Sequence, residues 1–120
     1  MKTILAVDDS ATIRQMVAFT LQGAGYKVLL AEDGAAALKQ IAGQQMDLII
    51  TDLNMPNMNG IDLIRQVRSL AHYKFVPILL LTTESAPEKK QEGKAAGATG
   101  WIVKPFDAPQ LVATVQKVMR

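Results

Sequence analysis

Short, unbroken apolar runs alternate along the chain with longer stretches in which apolar residues recur every three or four positions. The runs Thr3 to Val7, Lys27 to Ala31, Asp47 to Thr51, Pro77 to Thr82 and Gly100 to Val103 have strand length. Thr12 to Gln22 places Ile13, Met16, Val17 and Leu21 at helical spacing, and Ala35 to Ile41 predicts an alanine-rich helix. Ile61 to Ser69 sets Ile61 and Ile64 opposite Arg65 and Arg68, and Pro109 to Val118 aligns Leu111, Val115 and Val118. Asp107 is placed to cap that last helix, and Ala108 and Pro109 suit its first turn. Pro87 to Ala96 is the weakest helix: its apolar side is alanine alone, and Gly93 in its interior costs about 1 kcal/mol relative to Ala. It is expected to form and to be the most mobile of the five.

Strict alternation of strand and helix implies parallel strands, right-handed crossovers and helices on both faces. The runs LIIT and ILLLT lack polar alternation, as strands covered on both sides do. The simplest fit is an α/β fold with a doubly wound five-stranded parallel sheet. Its order, 2-1-3-4-5, is taken from known sheets of this kind.

In such a sheet ligands bind beyond the carboxyl ends of the strands, where the strand order reverses. Strand 1 ends in Asp8 and Asp9, strand 3 in Asp52, strand 4 in Thr82 and strand 5 in Lys104. Each has a plain explanation alone: Asp9 or Ser10 can cap the first helix, Asp52 can open a turn, and Lys104 can be solvated. Their convergence on one end of the sheet is the informative feature. Three clustered carboxylates repel, and one lysine does not balance them, whereas one lysine with a divalent cation does. Oxygen donors without histidine or cysteine favour a hard ion, and Mg²⁺ fits because it keeps several waters and uses few carboxylates. Asp9 and Asp52 are the expected direct ligands, Asp8 binds directly or through water, and the Asn54 carbonyl completes the set. A carboxylate so placed can attack phosphorus to give an aspartyl phosphate. Asp52 is the best nucleophile, with Lys104 neutralising charge on the phosphoryl oxygens and Thr82 hydrogen-bonding one of them.

Composition narrows the alternatives. The 120 residues make one expected domain, residues 1–120, able to bury roughly two-thirds of its unfolded surface. Hydrophobic residues at 49% and charged residues at 20% exclude a disordered chain. No cysteine is present, which removes disulfides and thiolate metal sites, and His72 has no second histidine beside it and reads as a surface residue. The amino-terminal apolar run stops at Asp8, too short for a secretory segment or a membrane span, so a cytoplasmic location with no membrane partner is expected. The net charge of +2 is carried by scattered lysines and arginines without interleaved aromatics, which argues against a nucleic-acid partner. Met55 and Met58 read as packing residues.

Four segments in order carry a family resemblance: VDDS (Val7 to Ser10), DLNMPNMNG (Asp52 to Gly60), LTTE (Leu81 to Glu84) and GWIVKPF (Gly100 to Phe106). Over its whole length the chain resembles response-regulator receiver domains, closest to the CheY chemotaxis group, whose fold is flavodoxin/CheY-like. The resemblance implies that Asp52 is the phosphoacceptor, Asp8 and Asp9 the acidic pair, Asn54 the carbonyl ligand, Thr82 the switch hydroxyl and Lys104 the phosphoryl-binding lysine. It also implies that Asn54 and Glu84 tune dephosphorylation, and it suggests a cis Lys104–Pro105 peptide. Phosphoryl at Asp52 would draw Thr82 toward it and vacate space for Trp101, reshaping the face of the fourth helix, fifth strand and fifth helix. The implied partners are a histidine kinase of the chemotaxis type and a downstream target such as the flagellar motor switch; the alternative is a phosphate sink or relay intermediate. A monomer is expected, accepting phosphoryl and hydrolysing its own aspartyl phosphate without being a conventional enzyme. Two departures stand out. The switch aromatic, often Tyr or Phe, is Trp101 here, and EKKQEGK (Glu88 to Lys94) is more polar than in the best-known motor-binding members. A flavin carrier would need a phosphate-cradling loop where VDDS stands, and a small-molecule phosphatase would need a specificity insertion that the chain lacks.

Overall fold

A computed structural model describes residues 1–83 and 87–119. Five strands, β1 (Thr3–Val7), β2 (Lys27–Ala31), β3 (Leu48–Asp52), β4 (Ile78–Thr82) and β5 (Gly100–Val103), alternate with five helices. The helices are α1 (Ala11–Gly23), α2 (Gly34–Gly43), α3 (Gly60–Arg68), α4 (Pro87–Ala96) and α5 (Ala108–Val118), and a 3-10 turn, Ala71–Tyr73, precedes β4. The strands form one parallel sheet in the order β2-β1-β3-β4-β5. The expected doubly wound topology is therefore the observed one. Three strand boundaries move by one residue: β3 runs Leu48–Asp52 in place of Asp47 to Thr51, and β4 starts at Ile78 in place of Pro77. Asp47 lies outside β3 and its carboxylate accepts the Thr3 N–H at 2.8 Å. Pro77, which has no N–H to give to a ladder, precedes β4.

Adjacent residues of each strand point to opposite faces, so every central strand feeds two cores. Leu5, Ile49, Ile78 and Leu80 pack with Ile41 of α2 and Ile61, Ile64 and Val67 of α3. Ile4, Ile50, Leu79 and Leu81 pack on the other face with Val17 and Leu21 of α1 and Leu111 and Val115 of α5. All five residues of β3 and of β4 are buried, which explains why their sequences lack a polar alternate. Met55 is buried and Met58 packs against the same core as Met55, as expected of packing residues. His72 is exposed.

The helix starts are set by side chains. Ser10 accepts from Ile13 N–H at 3.3 Å, Asp33 from Ala36 at 2.8 Å, Asn59 from Asp62 at 2.9 Å and Asp107 from Gln110 at 2.7 Å. The α1 cap fixes the chain direction immediately after the acidic pair, and so ties helix geometry to the site.

Arg68 departs from its expected solvated face. It is half-buried, and its guanidinium is spent on backbone carbonyls rather than water. Tyr73 is also buried; its hydroxyl donates to the Gln44 carbonyl at 3.1 Å and accepts the Met46 N–H at 3.1 Å, joining the segment between α2 and β3 to the 3-10 turn.

Candidate functional site: a carboxylate cluster with a lysine

The carboxyl ends of β1 and β3 are neighbours in the sheet, Val7 beside Thr51, so the residues that follow them meet. Asp8, Asp9 and Asp52 offer carboxylate oxygens that all lie within 4.8 Å of one another, the group of this kind found among the described residues. Asp8 and Asp52 are buried, at 2% and 5% exposure, while Asp9 is exposed. Lys104 reaches in from the far side of the sheet. Its Nζ stands 2.8 Å from Asp8 Oδ2 and 3.4 Å from Asp52 Oδ1. The backbone N–H of Lys104 donates to the Thr82 carbonyl at 2.8 Å, continuing the β4–β5 ladder beyond Val103, and the Lys104–Pro105 peptide is cis.

Local backbone bonds hold the acidic residues in place. Ser10 N–H donates to Asp8 Oδ1 at 2.9 Å, and the Arg14 guanidinium, from the first turns of α1, donates to the Asp8 carbonyl at 2.7 Å. Thr51 Oγ1 donates to the Asp52 carbonyl at 3.0 Å. Gly60, at the start of α3, donates its N–H to the Leu53 carbonyl at 2.8 Å, and a Cβ there would collide with the Asp52 carbonyl. Glycine is thus needed for α3 to close against the end of β3. Neither Arg14 nor Thr51 stands out in the sequence as part of this site. The signal for Arg14 is its spacing, six residues after Asp8 on the helix that Ser10 caps.

Burial and the neighbouring Asp8 charge, with a smaller push from Asp9, raise the Asp52 pKa to about 6, against the opposing pull of Lys104. For Lys104, burial alone would lower the pKa. The Asp8 hydrogen bond and the Asp52 and Asp8 charges outweigh it, and the ammonium is held above its ordinary value. The cluster is short of positive charge, and its donors are oxygens without histidine or sulfur. That donor set fits a hard divalent cation such as Mg²⁺.

Of the other expected residues, Thr82 ends β4, Asn54 follows β3 and Trp101 lies within β5. Thr82 is fully buried at the end of β4, one position beyond Leu81, which pairs with Asp52 across the β3–β4 ladder. Asn54 is exposed two residues beyond β3. Trp101 lies in β5 opposite Leu80, partly buried, with Lys90 Nζ of α4 6.0 Å from its ring centroid. It is neither a fully buried core residue nor a free surface one. Glu84 lies outside the described residues.

With this geometry in hand, comparisons with known proteins agree. Residues 4–116 match the family model for the response regulator receiver domain. The chain is 38% identical over 116 residues to the chemotaxis protein CheY of Pseudomonas aeruginosa, covering 96% of this chain and 94% of that one. It superposes on chemotaxis protein CheY4 of Vibrio cholerae with a TM-score of 0.96 at 57% identity, covering 98% of each chain. It superposes on response regulator protein TrrA of Thermotoga maritima, in complex with Mg²⁺–BeF, with a TM-score of 0.87 at 35% identity, covering 98% of this chain and 99% of that one. The chain belongs to the response-regulator receiver family of two-component signalling, and within that family it is CheY-like. No helix among the described residues is long and apolar enough to cross a membrane.

Proposed function

We propose that this receiver accepts a phosphoryl group on Asp52 from the phosphohistidine of a histidine kinase, and that the modification reshapes the face formed by α4, β5 and α5. The observation that carries the reading is the buried Asp52 carboxylate, with Asp8 and Asp9 oxygens inside 4.8 Å and the Lys104 ammonium 3.4 Å away. An Asp52 oxygen attacks phosphorus and the new P–O bond forms as the P–N bond breaks; the imidazole, its other ring nitrogen protonated from solvent, leaves neutral. With its pKa near 6, Asp52 is a carboxylate and so a nucleophile at neutral pH. Lys104, drawn from Asp8 toward the incoming oxygens, balances the charge that accumulates on them. Asp8, Asp9 and Asp52, with the Asn54 carbonyl, would hold Mg²⁺. When bound, the ion supplies charge neutralisation and orientation for the phosphoryl oxygens.

Thr82 is the expected hydroxyl partner of the phosphoryl group, and Trp101, one strand away, the residue that reads its movement. Glu84 and Asn54 keep the role of tuning hydrolysis of the aspartyl phosphate. The chemotaxis names of the P. aeruginosa and V. cholerae relatives support a chemotaxis-type kinase as donor and a target such as the flagellar motor switch. A phosphate sink is the second reading, and the specific feature in its favour is the exposed polar surface of α4 from Glu88 to Glu92. Labelling with acetyl phosphate tests the chemistry: Mg²⁺-dependent incorporation in the wild type and none in Asp52→Asn. Capture from a native lysate by the beryllofluoride-treated protein separates messenger from sink. A motor protein retained only by the treated form supports the messenger; capture of a kinase alone supports the sink.

A further inference from the structure

α4 is attached to the rest of the molecule unequally along its length. Its first turn is exposed, and the one residue it buries is Gly93. A Cβ at that position would come within 2.6 Å of Leu80 Cδ1 and 3.4 Å of Trp101 Cζ3, so the glycine is a contact surface rather than only a weak point of the helix. The far end of α4 is held much more firmly. Ala98 N–H donates to the Gly93 carbonyl at 2.9 Å and Gly97 N–H to the Lys94 carbonyl at 3.0 Å, the paired bonds of a glycine-terminated helix.

Arg68 binds this terminus from α3. Its Nε and Nη2 donate to the Gly97 carbonyl at 3.1 and 2.8 Å, and Nη1 donates to the Tyr73 and Val76 carbonyls, both at 2.6 Å. The cation therefore sits where the carbonyl-rich end of α4 meets the segment leading into β4, with the end of its own helix beside it, an arrangement helix dipoles favour. Gly97 has φ +115°, and a Cβ there would lie 2.9 Å from Arg68 Cγ and Nε. Both backbone conformation and clearance therefore require glycine. Thr99 adds two bonds to the start of β4: its N–H donates to the Ile78 carbonyl at 2.7 Å, and its Oγ1 accepts the Ile78 N–H at 3.1 Å. These contacts gather at the amino end of β4, whereas Thr82 and the carboxylates lie at its carboxyl end.

We propose that Arg68 is a positioning residue that fixes the carboxyl end of α4 as a pivot. Displacement of α4 driven from the Asp52–Thr82 end is then a swing about Gly97 and not a shift of the whole helix. The swing rests on the receiver reading above; the anchor does not.

Backbone hydrogen exchange of the full chain tests both parts, with wild type, Arg68→Gln and Arg68→Lys compared with and without Mg²⁺ and beryllofluoride. Without ligand, Arg68→Gln accelerates exchange of the Gly97, Ala98 and Thr99 amides about tenfold or more beyond the change set by its global stability. Amides of α1 and α2 follow global stability alone. Arg68→Lys keeps the charge but cannot reach all three carbonyls, and gives a smaller effect at the same amides. It carries the comparison if the glutamine variant does not fold. With beryllofluoride, wild-type exchange changes at Gln91 and Glu92 and not at residues 97–99, and in the Arg68 variants the change spreads into 97–99. Unaltered exchange at 97–99 in ligand-free variants, or acceleration equal in all elements, overturns the anchor. A wild-type change centred on 97–99 overturns the pivot. A wild type that binds no beryllofluoride overturns the receiver reading and the swing with it, while the ligand-free exchange still decides the anchor.

Discussion

The Lys104 ammonium stands 2.8 Å from Asp8 and 3.4 Å from Asp52, so its shorter contact is with Asp8 and not with Asp52. Both carboxylates are buried, and each depends on the lysine for part of its charge balance. Removing the ammonium removes the one cationic influence that lowers the Asp52 pKa. In Lys104→Met, Asp52 should therefore protonate at a pH above 6 in metal-free protein. Carboxyl carbon chemical shifts followed through a pH titration measure this directly. An unchanged midpoint would show that Lys104 does not act on Asp52.

The raised Asp52 pKa also has a stability sign. The folded protein binds this proton more tightly than the unfolded chain, whose carboxyl titrates near 3.8. The associated stabilisation is fully present below pH 3.8 and is lost as the pH rises to about 6, so above that the ionised carboxylate weighs against folding. Asp52→Asn, free of this charge, should exceed the wild type in metal-free stability at pH 7.5 by about 1–3 kcal/mol. The advantage should vanish below pH 4. Urea unfolding in chelator at several pH values checks both the size and the trend, and a pH-independent difference would contradict the account.

Metal affinity should distinguish the members of the acidic pair. Asp9 is exposed and has no lysine partner among the described contacts, whereas Asp8 is buried, pairs with Lys104 and accepts the Ser10 N–H. Asp9→Asn is expected to weaken Mg²⁺ binding about tenfold or more with little change in ligand-free stability. Asp8→Asn should weaken binding less while lowering that stability, because it loosens both of those bonds. Titration calorimetry and the Mg²⁺-induced rise in Tm give the two quantities separately. The reverse ranking of affinities would make Asp8 the principal ligand.

The sheet and the acidic cluster were legible because their signals are local. Buried parallel strands read as continuous apolar runs, and the ligand end of a doubly wound sheet is where VDDS, Asp52 and Lys104 terminate their strands. Arg68 was not legible: its helical periodicity places it opposite Ile61 and Ile64, and only the chain's return through Tyr73, Val76 and Gly97 supplies the carbonyls that bury it. The packing role of Gly93 was hidden for a related reason. Propensity registers its cost inside a helix, but the gain depends on Leu80 and Trp101, which are distant in sequence. Tyr73 lies in a polar stretch whose composition gives no hint of the Met46 and Gln44 groups it joins.

Trp101 is the chain's sole tryptophan, so intrinsic emission reports its surroundings without labelling. It is partly buried beside Gly93 and Lys90, and one strand pairing separates it from β4. Mg²⁺ with beryllofluoride is predicted to change its emission intensity or wavelength as the indole becomes more enclosed. Thr82→Ala should uncouple the change while leaving Mg²⁺ binding intact. Emission indifferent to beryllofluoride in the wild type would remove Trp101 from the switch.

The most direct measurement is intact mass after incubation with acetyl phosphate. The wild type should gain the mass of one phosphoryl group in Mg²⁺ and none in chelator. Asp52→Asn, which keeps the shape of the side chain but not its nucleophilic carboxylate, should gain none in either. Undiminished labelling of the Asn variant would place the acceptor elsewhere and contradict the central claim.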